Sequence, residues 1–277
     1  MGSGIAGNLL KPGFDLTVYN RTRDKAEPFA AQGARIANTP RDAAQDADVV
    51  ISVVGDDTAS RAIWLGENGA LAGVKAGAIL LELSTLTPHW VRELAQLAAE
   101  KSCGFLDAPM AGSKEAAANA QIGLLVGGDE AVIAQAQPIF DAISRRQVRI
   151  GEIGAGATWK LINNMMIAAH TAVLTEGLAL AAAADLEMDQ VASLILGGAT
   201  ASFIVQNKLP RMQEQRYADT DFSLKWMDKD VRYALHLAHE LGVDMPTIAA
   251  TRSLFHQALA KGFGDQDFAA VVESLRD

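Results

Sequence analysis

The chain has 277 residues, 49% hydrophobic and 21% charged, with Lys+Arg 24 against Asp+Glu 33 and a net charge of −9. That length suggests two domains, each able to bury a core, and the acidic balance argues against a nucleic-acid binder or a protein held on an anionic membrane. One cysteine, Cys103, excludes an intramolecular disulfide framework and a multi-cysteine zinc site, and no metal is expected.

The opening Met1-Gly2-Ser3-Gly4-Ile5-Ala6-Gly7-Asn8-Leu9-Leu10 reads as a helix with no strand before it. In a doubly wound sheet, such a helix follows the first strand through a glycine turn that leads the backbone to a dinucleotide pyrophosphate. Gly2 then stands where the third glycine of that fingerprint lets the helix lie close to the sheet. A glycine-tolerant helix contact explains the same residues equally well. On the fingerprint reading the central strand and most of the pyrophosphate cradle are missing, which points to a start placed too late. The polypeptide as it stands is then expected to bind a dinucleotide poorly.

Apolar runs at residues 14–19, 48–54, 78–84, 104–108, 122–126 and 147–150 predict strands. Several are nearly continuous, the mark of parallel strands covered on both faces. Between them, residues 39–47, 57–65 and 88–100 carry helix signals, with Thr87-Pro88 as a cap followed by proline at the first helical position. Strand alternating with helix predicts a doubly wound α/β domain over residues 1–153.

The first of these strands runs into Asn20-Arg21-Thr22-Arg23. At this place in a dinucleotide fold an acidic residue suits the adenine ribose 2′-hydroxyl and an arginine suits a 2′-phosphate. Asn20, Arg21 and Thr22 offer an amide, a guanidinium and a hydroxyl, with no carboxylate before Asp24, which favours NADP over NAD. A solvated basic turn is the plainer alternative.

After Gly154-Ala155-Gly156 the character changes. A proline-free helical stretch from 157 to 185 precedes helices near 188–197, 202–214, 223–241, 246–261 and 267–276, punctuated by Pro246 and by Gly242, Gly262 and Gly264. This predicts an all-helical domain over 154–277, entered through one long helix. The most membrane-like segment, 167–186, contains His170, Thr171, Thr175, Glu176 and Asp185. That is too polar for a spanning helix, so it reads as a buried helix of a soluble protein. With no signal-peptide pattern at the start, a cytoplasmic protein is expected.

Lys160 and Asn164 are four apart at the start of that long helix and project from one face. Trp159, Leu161 and Ile162 around the lysine suggest an ammonium in a largely apolar setting, suited to general acid or base work. From spacing alone, a surface lysine beside an amphipathic stripe explains it too. Phe222 taken alone reads as core, and Lys229 as a surface charge.

Six segments in order carry a resemblance: Met1-Gly2 with Asn8-Leu9, Asn20-Arg21-Thr22, Leu83-Ser84-Thr85 before Pro88, Asp107-Ala108-Pro109-Met110-Ala111-Gly112-Ser113, residues 154–164, and residues 222–230. Over essentially its whole length the chain resembles the β-hydroxyacid dehydrogenase family, closest in motif to the glyoxylate/succinic semialdehyde reductases. The resemblance implies a Rossmann-type doubly wound sheet, its first strand missing, followed by an all-helical domain. It implies an NADP cofactor, with NAD possible, and a small carboxylate-bearing aldehyde interconverted with its hydroxy acid. Lys160 would be the catalytic lysine and Asn164 would hydrogen-bond the substrate. Thr85 would lie near nicotinamide and substrate, and Gly112 and Ser113 would hold the substrate carboxylate. Gly2, Asn20, Arg21, Thr22 and Lys229 would touch the cofactor, while Phe222 and Asp230 would close the site. A homo-oligomer, dimer or tetramer, is implied as well.

Ala111 departs from the family, which usually has serine there. The missing hydroxyl is worth about 1–2 kcal/mol if it made a buried hydrogen bond, and Ser113 stands to take over. A 6-phosphogluconate dehydrogenase would be longer and would show histidine in place of Asn163, and imine reductases lack the lysine. From another class, the alternative is a non-catalytic oligomerisation or scaffold module, against which Lys160 and Asn164 argue.

Overall fold

The computed structural model describes residues 1–276. The chain divides into two compact units, Met1–Lys160 and Leu161–Asp277.

The first unit runs α1 (Gly2–Leu10), β1 (Thr17–Val18), α2 (Glu27–Ala30), β2 (Arg35–Ile36), α3 (Pro40–Ala44), β3 (Val49–Ser52), α4 (Asp57–Trp64), β4 (Ile79–Glu82), α5 (Pro88–Glu100), β5 (Gly104–Asp107), β6 (Met110–Ala111), α6 (Lys114–Ala118), β7 (Ile122–Gly127), α7 (Glu130–Ile143) and β8 (Ser144–Gly151). β1 and β2 pair in parallel as a sheet of their own. The other six form one sheet in the order β3-β4-β5-β7-β6, with β8 on β7.

β3, β4 and β5 are parallel and end together at Ser52, Glu82 and Asp107. Beyond Asp107 the chain pairs antiparallel with β7, matching Asp107 to Gly127, Met110 to Leu124 and Ala111 to Gly123. These matches share one register, so β5 and β6 are two lengths of one line broken at Ala108-Pro109. Proline has no N–H to give a ladder, and the Pro109 carbonyl still accepts from Leu125 N at 3.2 Å.

The two faces of the sheet have separate cores. Leu81, Leu83, Leu106 and Ala108 pack with Ile5 and Leu9 of α1 and with Ile139 and Phe140 of α7. Leu80 and Phe105, alternating with them as strand geometry requires, pack with Trp64 of α4 and Trp90 of α5. The Thr87 hydroxyl accepts from Trp90 N at 3.3 Å, so the expected cap of α5 forms.

Several sequence expectations need correcting. The run at 14–19 narrows to the two residues of β1, and the short pairs β2 and β6 were not legible as strands. The sheet is mixed, since β7 and β8 run opposite to β3–β5. β8 is longer than the 147–150 run and mostly exposed, because it lies at a sheet edge, where Arg145, Arg146 and Arg149 can face water. Helix α7 was missed.

The long helix α8 (Ala155–Ala183) leads into the second unit, followed by α9 (Met188–Gly197), α10 (Phe203–Gln213), α11 (Leu224–Glu240) and α12 (Pro246–Ala260). The last predicted helix is a 3₁₀ segment, Phe268–Ser274. Their core gathers Ala168, Leu174 and Leu178 of α8 with Leu209, Leu224, Val231, Phe255 and Phe268. Within it Lys208 Nζ meets both carboxylate oxygens of buried Asp267 at 2.9 and 3.0 Å.

Among the described residues α8 alone is long and apolar enough to cross a membrane by length and composition. It is not buried all round, as expected, but on one face. Ala168, Thr171, Ala172, Leu174, Thr175 and Leu178 are buried, whereas Met166, Val173 and Leu180 are 52%, 64% and 72% exposed.

Candidate active site

At the edge where β3, β4 and β5 end, the first unit gathers most of its implied site residues. The turn after β4 carries Ser84 and the half-buried Thr85. The Ser84 hydroxyl accepts from Val54 N at 2.8 Å, which ties this turn to the one after β3. Beneath it lies Glu82, fully buried. Its Oε2 accepts from Ser60 Oγ at 2.9 Å and Trp64 Nε1 at 2.8 Å, and its Oε1 from Ser84 N at 3.1 Å. Trp90 Nε1 donates to Ser60 Oγ at 2.9 Å, which leaves that hydroxyl its proton for Glu82. Burial pushes the Glu82 carboxyl above its ordinary range, against the pull of these donors.

The chain leaving β5 reaches Gly112 and Ser113. Gly112 has φ +140°, a conformation that favours glycine, and a Cβ there would press on Ala116 at 3.1 Å and Ile122 at 3.3 Å. Ser113 Oγ accepts from Ala116 N at 3.1 Å as the cap of α6, which occupies a lone pair and leaves the hydroxyl proton to donate. Ala111 lies in β6, its methyl side chain offering no donor.

Asp107 is a second buried carboxylate at this edge. Its Oδ1 accepts from Gly154 N and its Oδ2 from Ala157 N, each at 2.8 Å. Burial pushes its carboxyl up to about 7, opposed by those amides and by the Arg92 guanidinium. Lys160, half-buried, follows Ala157 by three residues on α8.

Asn20, Arg21 and Thr22 leave β1 as an exposed turn, with Asn20 Oδ1 accepting from Thr22 N at 2.9 Å. Arg23 is committed to Glu27 and Asn38, both at 2.6 Å, and Arg21 beside it is exposed. The close approach expected at Gly2 is found elsewhere. A Cβ on Gly2 would sit 3.6 Å from Val53, an ordinary contact, whereas one on Gly4 would come within 2.7 Å of the Ala117–Ala118 backbone. Gly4 is thus the glycine that a helix contact requires, against α6. The first turn of α1 has no side-chain cap and no acidic residue, so its amides suit an anion. With the Asn20-Arg21-Thr22 donors, these residues fit a dinucleotide.

In the second unit Asn164, Lys229 and Asp230 come together. Asn164 Nδ2 donates to Asp230 Oδ2 at 2.5 Å, and Lys229 Nζ pairs with Asp230 Oδ1 at 2.9 Å. Lys229 is buried near the Tyr233 and Trp226 rings, so it is not the surface charge that its spacing alone suggests. Phe222 is partly buried, edge-on to Phe268 at 6.1 Å between ring centroids.

Glu82 and Asp107 received no role from the sequence. The available signal was a carboxylate closing an apolar strand, at Leu80-Leu81-Glu82 and at Phe105-Leu106-Asp107.

Residues 1–154 match the NAD binding domain of 6-phosphogluconate dehydrogenase, and residues 154–275 match the NAD-binding domain of NADP-dependent 3-hydroxyisobutyrate dehydrogenase. An uncharacterized oxidoreductase of Shewanella frigidimarina is 37% identical, over 99% of this chain and 94% of its own. Glyoxylate/succinic semialdehyde reductase 1 of Arabidopsis thaliana is 32% identical, over 100% of this chain and 95% of its own. The Mycobacterium tuberculosis 3-hydroxyisobutyrate dehydrogenase, solved with L-serine, superposes with a TM-score of 0.89 at 25% identity, covering 100% of this chain and 96% of that one.

Proposed function

The chain belongs to the β-hydroxyacid dehydrogenase family, and from that premise we propose that it is an NADP(H)-dependent reductase of small aldehydes bearing a carboxylate. Glyoxylate and the succinic, tartronate and methylmalonate semialdehydes define the class. That it is an oxidoreductase using a nicotinamide dinucleotide follows from the family; the substrate class, the cofactor preference and the residue roles are our reading.

When bound, the dinucleotide supplies or accepts the hydride. Lys160 Nζ gives its proton to the carbonyl oxygen during reduction and recovers it from the hydroxyl in oxidation. The backbone amides of Gly112 and Ser113, with the Ser113 hydroxyl, hold the substrate carboxylate as fixed donors. Thr85 lines the place of nicotinamide and substrate, and Asn164 hydrogen-bonds the substrate. Phe222 and Asp230 are further substrate-binding residues. Gly2, Asn20, Arg21, Thr22 and Lys229 hold the cofactor, and the Arg21 guanidinium favours a 2′-phosphate.

The observation that carries the reading is the common anchor at Asp107. Its side chain holds the start of the Lys160 helix, and its backbone leads to Gly112 and Ser113. One strand end thereby governs both a proton carrier and an anion loop. We further propose a cytoplasmic homo-oligomer, in which a second copy covers the exposed stripe of α8, and neither a membrane nor a nucleic acid as partner.

Oxidation of NADPH against a panel of these aldehydes tests the function. Turnover is expected, and Lys160→Ala should lose it while keeping NADPH binding. Lys160→Ala turnover above a few per cent of the parent rate would remove the lysine from its role. A protein inert toward every aldehyde, yet folded and binding NADPH, would support the scaffold alternative.

A further inference from the structure

We propose that Asp107 is the positioning residue of Lys160, its carboxylate replacing from β5 the capping side chain that Gly154 cannot supply to α8. This rests on the reading of Lys160 as the proton carrier.

The first amides of any helix lack partners within it, and a Ser, Thr, Asp or Asn just before the first turn ordinarily serves them. Here that place is held by Gly154. Its φ of +89° favours glycine, and a Cβ would crowd the Arg92 guanidinium at 3.1–3.4 Å. The two amides are served instead from 47 and 50 residues away, by the two oxygens of Asp107. Ala157 N, the third amide of α8, is the one that a capping side chain would normally take.

The surroundings are shaped to this carboxylate. A Cβ on Gly127 would stand 2.4 Å from Asp107 Oδ1, and one on Gly156 would stand 2.9 Å from Oδ2. Two glycines therefore leave the space that the carboxylate fills. Lys160 projects less than one turn beyond Ala157, so a loosened first turn displaces its ammonium directly. A catalytic group misplaced by about 1 Å can cost about 100-fold in rate.

The charged groups facing Asp107 are few. Arg92 of α5 acts on it electrostatically, and Glu82 of β4 is its in-register neighbour. From α8 the nearest cation in sequence is Lys160 itself. Glu152, after β8, is turned to solvent and paired with Arg149 at 2.7 Å, while β7 offers only Gly127. Loss of the Asp107 charge weakens the two acceptor oxygens, Oδ1 for Gly154 N and Oδ2 for Ala157 N, and puts a proton on one of them.

Asp107→Asn keeps the shape but replaces one acceptor oxygen by an amide NH₂. We expect kcat to fall about 100-fold, with Kd for NADPH within about two-fold of the parent. Hydrogen exchange at the Gly154 and Ala157 amides should quicken. In the parent protein, the amide shifts of these two residues should titrate together with an acid limb of kcat that Asp107→Asn lacks. Exchange read on Lys160→Ala carrying Asp107→Asn reports the cap whether or not the lysine is catalytic, so failure of the functional reading is seen separately. Quickened exchange with kcat unchanged would overturn the positioning role, and unchanged exchange would overturn the cap. Should Asp107→Asn not fold, the titration of the parent decides: amide shifts and kcat moving at different pH values overturn the proposal.

Discussion

Glu82 and Asp107 stand in register on neighbouring parallel strands, both buried where the sheet ends. Each accepts hydrogen bonds from groups that fix a turn. Glu82 holds Ser84 and Asp107 holds Gly154 and Ala157. Carboxylates this dry are costly to ionise, and they are tolerated because their hydrogen-bond partners are donors.

The cost has a sign that a titration can read. Both carboxyls are pushed up in the folded chain, Asp107 from 3.8 to about 7, and Glu82 in the same direction. Between the ordinary carboxylate range and about pH 7, the folded state thus binds more protons than the unfolded one. Stability from these groups is fully present below the unfolded values, and is lost as pH rises through the folded ones. Roughly three pKa units at about 1.4 kcal/mol each put the Asp107 share near 4 kcal/mol at most. Urea unfolding at pH 5 and pH 8 should show the parent losing stability relative to Asp107→Asn as pH rises. Parallel pH dependences for the two proteins would show that Asp107 ionises freely.

Two glycines of α8 should respond to alanine with opposite signs. A Cβ on Gly156 would meet the Leu125 carbonyl oxygen at 2.2 Å, and backbone has no rotamer with which to yield. Overpacking of this kind costs about 1–3 kcal/mol and outweighs the gain of about 1 kcal/mol that alanine brings to a helix interior. Gly177 has nothing within 4 Å of its Cβ position, so there the gain stands alone. Denaturant midpoints should fall for Gly156→Ala and rise for Gly177→Ala. A rise at both would mean that helix and strand end are free to separate.

What the sequence made legible was periodicity and order. The apolar runs located β3, β4, β5 and β7 to within a few residues, and the proline-free stretch located α8. Long-range pairing was not legible. Nothing in Asn119-Ala120-Gln121 announces that β7 turns back against β5 and β6, because strand direction is set by contacts between distant segments. The site showed the same division. Lys160 stood out by local pattern and Gly112 through the family resemblance, but Asp107 acts through amides 47 and 50 residues away, and no short window of sequence contains both partners. The glycine expected to make a close contact at position 2 makes it at position 4, because helix phase decides which glycine meets α6.

The exposed stripe of α8 bears on assembly. Met166, Val173 and Leu180 recur every seven residues, the spacing at which one helix keeps a single seam toward another. A second copy of the chain supplies an identical seam, and two-fold pairing lets each stripe meet its counterpart. Sedimentation should therefore give a species of at least twice 29.3 kDa. Val173→Glu with Leu180→Glu should shift it toward monomer without loss of helical circular dichroism, since both side chains face outward in the single chain. A parent that sediments as a monomer at micromolar concentration would leave the stripe without this role. A charged double variant that keeps the parent's assembly would place the contact on another face.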